Sequence, residues 1–271
     1  MKALYVSSFR GCDDNSGFEP DLPLRTLARA MSLHSDGVSI LLERGSVFEN
    51  EFLHIRHSGL SADEPLLISS YGDKSKPIAR INANGSGMWY QDYGAELDNK
   101  AHGYKGYVSS AILLYDVSFV VVSNIEITNS SNLIGESYSQ SDKMDRTGIA
   151  LIAKNAGTCT NLDIDSVIIH DVDGNVYNKH MANGGVYACA LKPDDEDKTG
   201  VARFDFVSVK HCTIYNVSRW GVAIGYTYRH KDFATVHLEK ENFFKYGNTN
   251  ITIVDNHVSY TGGDGITAMY A

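Results

Sequence analysis

The sequence predicts an all-β fold, a parallel β-helix whose coils stack along one axis. Three observations carry this. Four segments share one pattern: VVVSNIEITN from Val120, LDIDSVIIHD from Leu162, VSVKHCTIYN from Val207 and ITIVDNHVSY from Ile251, so successive starts lie 42, 45 and 44 residues apart. Their apolar residues fall in fixed columns: Val120, Leu162, Val207 and Ile251; then Val122, Ile164, Val209 and Ile253; then, past a polar kink, Ile127, Ile169, Ile214 and Val258. A Gly–aliphatic pair also opens a further strand in each unit, at Gly148, Gly185, Gly221 and Gly265. Alternation with period two marks strands, and a repeat of this length marks stacked units. Each unit reads strand, kink, strand, turn, strand, with a variable loop before the next. Like residues then stack into a continuous core. A β-sandwich is the rival, but sandwiches do not keep column identity across four units.

Residues 1–271 read as one domain, with a strand and cap helix over 1–36 and coils over 37–271. ALYVSS, from Ala3, reads as a short strand. The segment PLRTLARAMSLHSDG, from Pro23, reads as a helix. Pro23 suits a first turn, and Leu24, Leu27, Ala28 and Met31 share one face. A helix here would cover the open end of a coil, whose backbone groups and core are otherwise exposed. VSILLERG from Val38, FLHIRHSG from Phe52 and PLLISSYGDKSKPIARI from Pro65 begin the coil.

Five loops interrupt the pattern. Residues 86–110 are dense in aromatics and read as an insertion, either packed on the coil or forming one wall of a sugar cleft. Residues 130–147, 174–184, the acidic LKPDDEDKTG from Leu191 (read as a solvated tip), and TYRHKDFATVHLEKENFFKYGN from Thr227 are the others. The last residues, GGDGITAMYA, open a strand in register with Gly221 to Tyr226. Nothing after it caps the coil, so the expectation is a longer native chain with further C-terminal coils, or a second chain covering the end.

A net charge of −9 without a Lys/Arg run argues against nucleic acid as a partner. No stretch is long and apolar enough to span a membrane as a helix. Cys12, Cys159, Cys189 and Cys212 form no CxxC pair, and no disulfide framework is expected. No signal peptide is visible. The protein is cytoplasmic if Met1 is native, and secreted or periplasmic if a signal was removed. Asp13, Asp14 and Asn15 offer oxygens for a Ca²⁺ ion, although a turn rich in Asp and Asn needs no metal. Asp163 and Asp165 face outward and are expected to be solvated. His211 at the polar kink is expected to bond backbone.

The run YVSSFRGCDDNSG, then PLRTLARAM, then GVSILLERGSVFENEFLHI, then SGLSADEPLLISSYGDKSKPI resembles the amino-terminal portion of right-handed parallel β-helix proteins of the pectate-lyase-like superfamily. The resemblance is close over about the first 85 residues and holds beyond them by pattern. It departs at Ser8, where Pro is usual, at Leu24, where Phe is usual, and at Ser39, where Thr is common. It implies a right-handed coil and a carbohydrate-active protein. It does not choose among lyases, hydrolases, epimerases and non-catalytic members.

Chemistry is expected at the turn before each Gly–aliphatic strand, because those turns stack. In order they are Asp145-Arg146-Thr147, Ala182-Asn183-Gly184, Ser218-Arg219-Trp220 and Gly262-Gly263-Asp264. A step of about 4.8 Å between coils makes Arg219 and Asp264 near neighbours. Asp173, one turn below Arg219, joins the patch, with His180 in the loop beside it. The bland alternative is a surface ion pair of little worth. The functional reading is a glycoside hydrolase acting on a polysaccharide or oligosaccharide. Asp264 and Asp173, about two coil steps apart, would be the catalytic carboxyl pair, since such pairs stand roughly 5–9.5 Å apart. Arg219 and His180 would support them, Arg146 and Asn183 would bind substrate, and Trp89, Tyr226 and Tyr228 would stack on sugar rings. A uronate lyase is the alternative, with Arg219 or Arg146 as base or neutraliser. A non-catalytic glycan-binding or assembly β-helix is the second class.

Overall fold

In the computed structural model, which describes residues 2–94, 103–130, 144–176, 178, 180–230, 233 and 240–269, the chain visits three parallel sheets in rotation. The first sheet holds β1 (Lys2–Val6), β2 (Val38–Glu43), β5 (Leu66–Tyr71), β9 (Val120–Ser123), β12 (Thr158–Asp165), β15 (Arg203–Lys210) and β18 (Thr249–Val254), side by side in that order. The second holds β3 (Val47–Glu49), β6 (Ala79–Asn82), β10 (Ile125–Asn129), β13 (Ile168–Val172), β16 (Thr213–Val217) and β19 (His257–Thr261). The third holds β4 (Leu53–Ile55), β8 (Lys105–Tyr115), β11 (Asp145–Ala153), β14 (Gly184–Ala190), β17 (Trp220–Thr227) and β20 (Ile266–Ala268). Only β7 (Met88–Asp92), beside β8, pairs antiparallel among the described strands.

The columns read from the sequence are the columns that pair. Val120, Leu162, Val207 and Ile251 stand in register across the first sheet, and so do Val122, Ile164, Val209 and Ile253. Ile127, Ile169, Ile214 and Val258 do so across the second sheet. Ile149, Val186, Val222 and Ile266 do so across the third. Every member of these columns up to β17 is buried. Each aliphatic side chain so covered contributes about 1.5–3 kcal/mol, so the interior is one ladder of such terms.

The Gly–aliphatic signature has a steric cause. A Cβ on Gly185 would meet the carbonyl oxygen of Gly221 at 2.5 Å and Cγ2 of Ile214 at 2.7 Å, and one on Gly221 would meet the oxygen of Gly265 at 2.3 Å. The adjoining parallel strand lies so close here that its backbone fills the space of a side chain. The polar kink is equally physical. Asn124, Ser166, His211 and Asp255 all take positive φ, between 49° and 56°, a conformation that short polar residues adopt most readily.

Several expectations need correction. The cap helix α1 spans only Leu27–Leu33, with Thr26 as its N-cap, not the stretch from Pro23. Asp13 secures that start: its Oδ1 accepts from the amides of Arg25 and Thr26 at 2.8 and 3.0 Å, and its Oδ2 from the Thr26 hydroxyl at 2.8 Å. Burial pushes this carboxyl up, but those bonds and the nearby Arg29 outweigh it and leave it lowered. The suggested calcium turn thus spends its first carboxylate on protein donors. Among the described residues no three His, Cys, Asp or Glu side chains converge as a metal site would need.

The expected insertion over 86–110 is partly sheet, because β7 and β8 form a hairpin and β8 joins the third sheet. The acidic segment is not simply solvated. It forms the short helix α2 (Glu196–Thr199), Asp194 pairs with Lys154 at 2.6 Å, and Glu196 pairs with Arg229. Asp163 is paired with Lys210 at 2.9 Å, and His211 faces Asp165 at 2.9 Å instead of backbone. Within the loop from Thr227, Lys240–Tyr246 form a helix, α3. Residues 131–143 and most of 231–239 lie outside the described residues. All four cysteines are free, and Cys159, Cys189 and Cys212 are buried.

Candidate functional site

The corner between the second and third sheets gathers the turns that the sequence singled out. The register Val172–Val217–Thr261 aligns the residues that follow them: Asp173, Ser218 and Gly262. A groove of about 400 Å³ opens here, lined by Asp171, Asp173, Val176, Asn216, Ser218, Tyr260 and Gly262 among others. Asp173 is largely buried at its edge. Asp264 lies beyond Gly262, exposed, its Oδ2 accepting from the Thr267 hydroxyl at 3.4 Å.

The described residues between β13 and β14, 173–176, 178 and 180–183, are held by side chains from other strands and turns and by their own Asn183. Arg146 donates from Nη1 to the carbonyl of Asp173 at 2.6 Å. Arg219 donates from Nη1 to the carbonyl of Val176 at 2.6 Å. Asn183 Nδ2 donates to the carbonyl of Asn175 and to Asp145 Oδ1. Asp145 Oδ2 accepts from Asn178 Nδ2 at 2.8 Å. Gln91, from the hairpin, donates to the carbonyl of His180 at 2.9 Å and accepts from the amide of Ala182 at 2.8 Å. Gly174 fits only as glycine, since a Cβ would lie 2.6 Å from the amide of Arg146.

This clamp revises the roles of the arginines. Arg219 does not pair with Asp264, and no ion pair joins the two among the described residues. Its guanidinium lies over the Trp220 ring, 4.5 Å from the centroid, and reaches the Val176 carbonyl. The Arg219 side chain runs along Gly263 of the next turn, where a Cβ on that glycine would meet Arg219 Nε at 3.1 Å, but its Nη1 is spent on the loop carbonyl and not on Asp264. The carboxylate beside an arginine is Asp173, whose Oδ1 lies 3.6 Å from Arg146 Nη1. Burial lowers the Arg146 pKa, and Asp173 and Asp145 work against that.

Asp145, which the sequence placed in a stacked turn without a role, is the most buried carboxyl of the corner. Burial raises it well above the usual carboxylate range. The Asn178 amide and the Arg146 charge lower it without offsetting burial. Gln91, Asn178 and Asp145 were legible only as polar residues near a turn, because their partners lie far away in the sequence.

Other candidates are turned inward. Asn183 has no exposed surface, and its Oδ1 accepts from the Ser218 hydroxyl at 2.8 Å, so both ends of its amide serve the clamp. Trp89, Tyr226 and Tyr228 are 7%, 4% and 7% exposed, which leaves no open ring face for a sugar. Trp89 donates from Nε1 to the Ser110 hydroxyl at 3.0 Å, and Tyr228 to Glu196 at 2.7 Å. Tyr226 stacks on Tyr187 with centroids 5.3 Å apart. His180 packs edge-on against Tyr93 and Tyr226, at 5.8 and 5.2 Å between centroids, within a second layer of rings on the outer face of the third sheet.

No protein-family model matches the chain. A lacto-N-biosidase of Bifidobacterium longum subsp. longum is 40% identical over 300 aligned residues, which cover 98% of this chain and 19% of that protein. Two crystal structures of the GH136 lacto-N-biosidase from Eubacterium ramulus, a selenomethionine derivative and the native protein, superpose with a TM-score of 0.94 at 51% identity. They cover 100% and 99% of this chain and 43% of theirs. The chain is therefore similar to less than half the length of each relative.

Proposed function

We propose that the chain forms part of a glycoside hydrolase acting on an oligosaccharide, carried on a right-handed parallel β-helix. The observation that carries the reading is the likeness, at 51% identity over the whole chain, to a lacto-N-biosidase, and it extends to lacto-N-biosidase activity in a longer protein. Rotation through three parallel sheets supports the β-helix. Its right hand agrees with the general preference of parallel crossovers.

The groove supports the chemistry. Glycoside hydrolysis uses one carboxyl to protonate the leaving oxygen and a second as nucleophile or base. Asp173 lines the groove beside Arg146, a setting that suits the group that bears negative charge. Asp264, two coils on, is the second carboxyl of the proposed pair. Arg219 and His180 act through the loop instead of touching sugar: one holds its backbone, and the other anchors it in the ring layer. With both guanidiniums engaged on carbonyls, a uronate lyase that needs a free arginine is the poorer reading.

The test is an assay of this chain and of the longer protein on neutral and acidic oligosaccharides, read by reducing ends and by ultraviolet absorbance. Reducing ends without absorbance, lost in Asp173→Asn and in Asp264→Asn, support the hydrolase. Absorbance from an unsaturated sugar would replace it with a lyase. Turnover that survives both substitutions would move the carboxyl pair elsewhere.

A further inference from the structure

On the first sheet, away from the Asp173 corner, one column of residues is held in the left-handed backbone region. Phe119, Asn161, Phe206 and Asn250 have φ of 60°, 54°, 51° and 53°. The registers of β9, β12, β15 and β18 stack them one above another. Asparagine is at home in that conformation. A bulky aromatic residue is an outlier there and sits under backbone strain. Burial of the ring could offset this, but Phe206 is 54% exposed. The fold accepts Asn at two of the four positions, so nothing in the coil itself demands phenylalanine at the others.

Both phenylalanines line one groove of about 240 Å³, with Pro65, Val121 and Val207 also in its lining. Two coil steps separate them, roughly 9.6 Å at about 4.8 Å per step. Asn161 lies between them, and Asp163, Ser208 and Thr252 add polar groups to the same lining. The groove is electrically quiet, because Asp163 is already bound by Lys210 at 2.9 Å and by the Ser208 hydroxyl. A ligand matched to it has apolar faces, polar edges and no charge. Aromatic walls with a few placed polar groups are how proteins commonly hold such molecules.

We propose that this groove is a saccharide-binding site on the opposite side of the coil from the catalytic corner, with Phe119 and Phe206 as ring platforms for two sugars of a neutral oligosaccharide. The site shares its ligand class with the hydrolase reading and rests on none of that reading's residues. It would hold a glycan chain on the enzyme without cleaving it.

The probes are neutral di- to tetrasaccharides, titrated into the intact chain. Phe206→Trp places a reporter at the platform, and its fluorescence is expected to shift on saccharide addition. Phe206→Asn is expected to weaken binding at this site by about tenfold or more while its melting temperature stays level or rises, since Asn suits the backbone. A silent Phe206→Trp overturns the proposal. So does a melting temperature that falls in Phe206→Asn, which would make the ring structural. So does a concentration-dependent dimer that Phe206→Asn dissolves, which would make the face a contact between copies. Turnover lost in Asp173→Asn with the Phe206→Trp signal intact leaves the groove standing. Turnover intact with no such signal removes the groove and leaves the hydrolase.

Discussion

The guanidinium of Arg146 donates to the carbonyl of Asp173 at 2.6 Å and lies 3.6 Å from the carboxylate of the same residue. One side chain thus fixes both the backbone and the charge of a groove residue. Arg146→Met removes both contacts, and Arg146→Lys restores a point charge without the planar fork. In the active protein kcat/KM is expected to fall about 100-fold in Arg146→Met, the scale of a misplaced catalytic group, with partial recovery in Arg146→Lys. Steady-state kinetics alongside thermal melting decides it. A Met variant that melts lower and still turns over fully would make Arg146 purely structural.

Asp145 tests the clamp from below. Its carboxyl is 4% exposed and accepts from Asn178 at 2.8 Å and from Asn183 at 3.2 Å. Asp145→Ala leaves the buried Asn183 amide and the half-buried Asn178 amide without that acceptor and is expected to cost about 1–3 kcal/mol. Asn178→Ala should then cost less in the Asp145→Ala background than alone, with a coupling on the order of 1 kcal/mol. Denaturant unfolding of the four-member cycle measures it, and strict additivity would mean that the contact carries no energy.

The glycine ladder makes a sharper claim about packing. A Cβ on Gly185 collides with backbone of the next coil at 2.5 Å, whereas one on Gly265 meets nothing nearer than Val258 Cγ1 at 3.7 Å. Gly185→Ala is expected to destabilise by about 1–3 kcal/mol or more, as overpacking does, and Gly265→Ala by much less. Melting temperatures of the pair check this. Equal losses would mean that the coils can move apart to admit a methyl group.

These contrasts show what was legible in the sequence. Column periodicity is local, since Val120, Leu162, Val207 and Ile251 announce their pairing by spacing alone. The Gly–aliphatic pairs were legible for the same reason. The strand at Lys105–Tyr115 was not, because it is joined to the Trp89 hairpin and lacks the glycine signal. The geometry of the candidate site was half legible. Stacking brought Asp173 and Ser218 to one groove, but spacing says nothing about side-chain direction. Arg219 therefore looked like a partner for Asp264, when the Val176 carbonyl and the face of Trp220 claimed it. Trp89, Tyr226 and Tyr228 looked like sugar platforms because an outer layer of buried rings on a sheet has no period that distinguishes it from an exposed one.

A last prediction concerns pH. His54 lies in β4, with its ring 4.5 Å from that of Phe52 and its amide 3.1 Å from the Met31 sulfur of α1. Burial lowers its pKa from 6.5 to about 4, and the backbone near Ser110 and Gly87 raises it too little to compensate. The folded protein thus keeps this imidazole neutral while the unfolded chain takes up a proton below pH 6.5. Between pH 6.5 and about 4 the unfolded state binds more protons, so stability falls as pH falls through that window and the loss is complete near the lower value. The shift sets an upper limit of about 3 kcal/mol on this loss. His34, also lowered by burial, adds a slope of the same sign, so the wild-type curve alone cannot assign the effect. His54→Gln removes one titration and should flatten the dependence by the His54 share. A Gln variant whose stability follows the wild-type curve through the whole window would show that His54 titrates alike in both states.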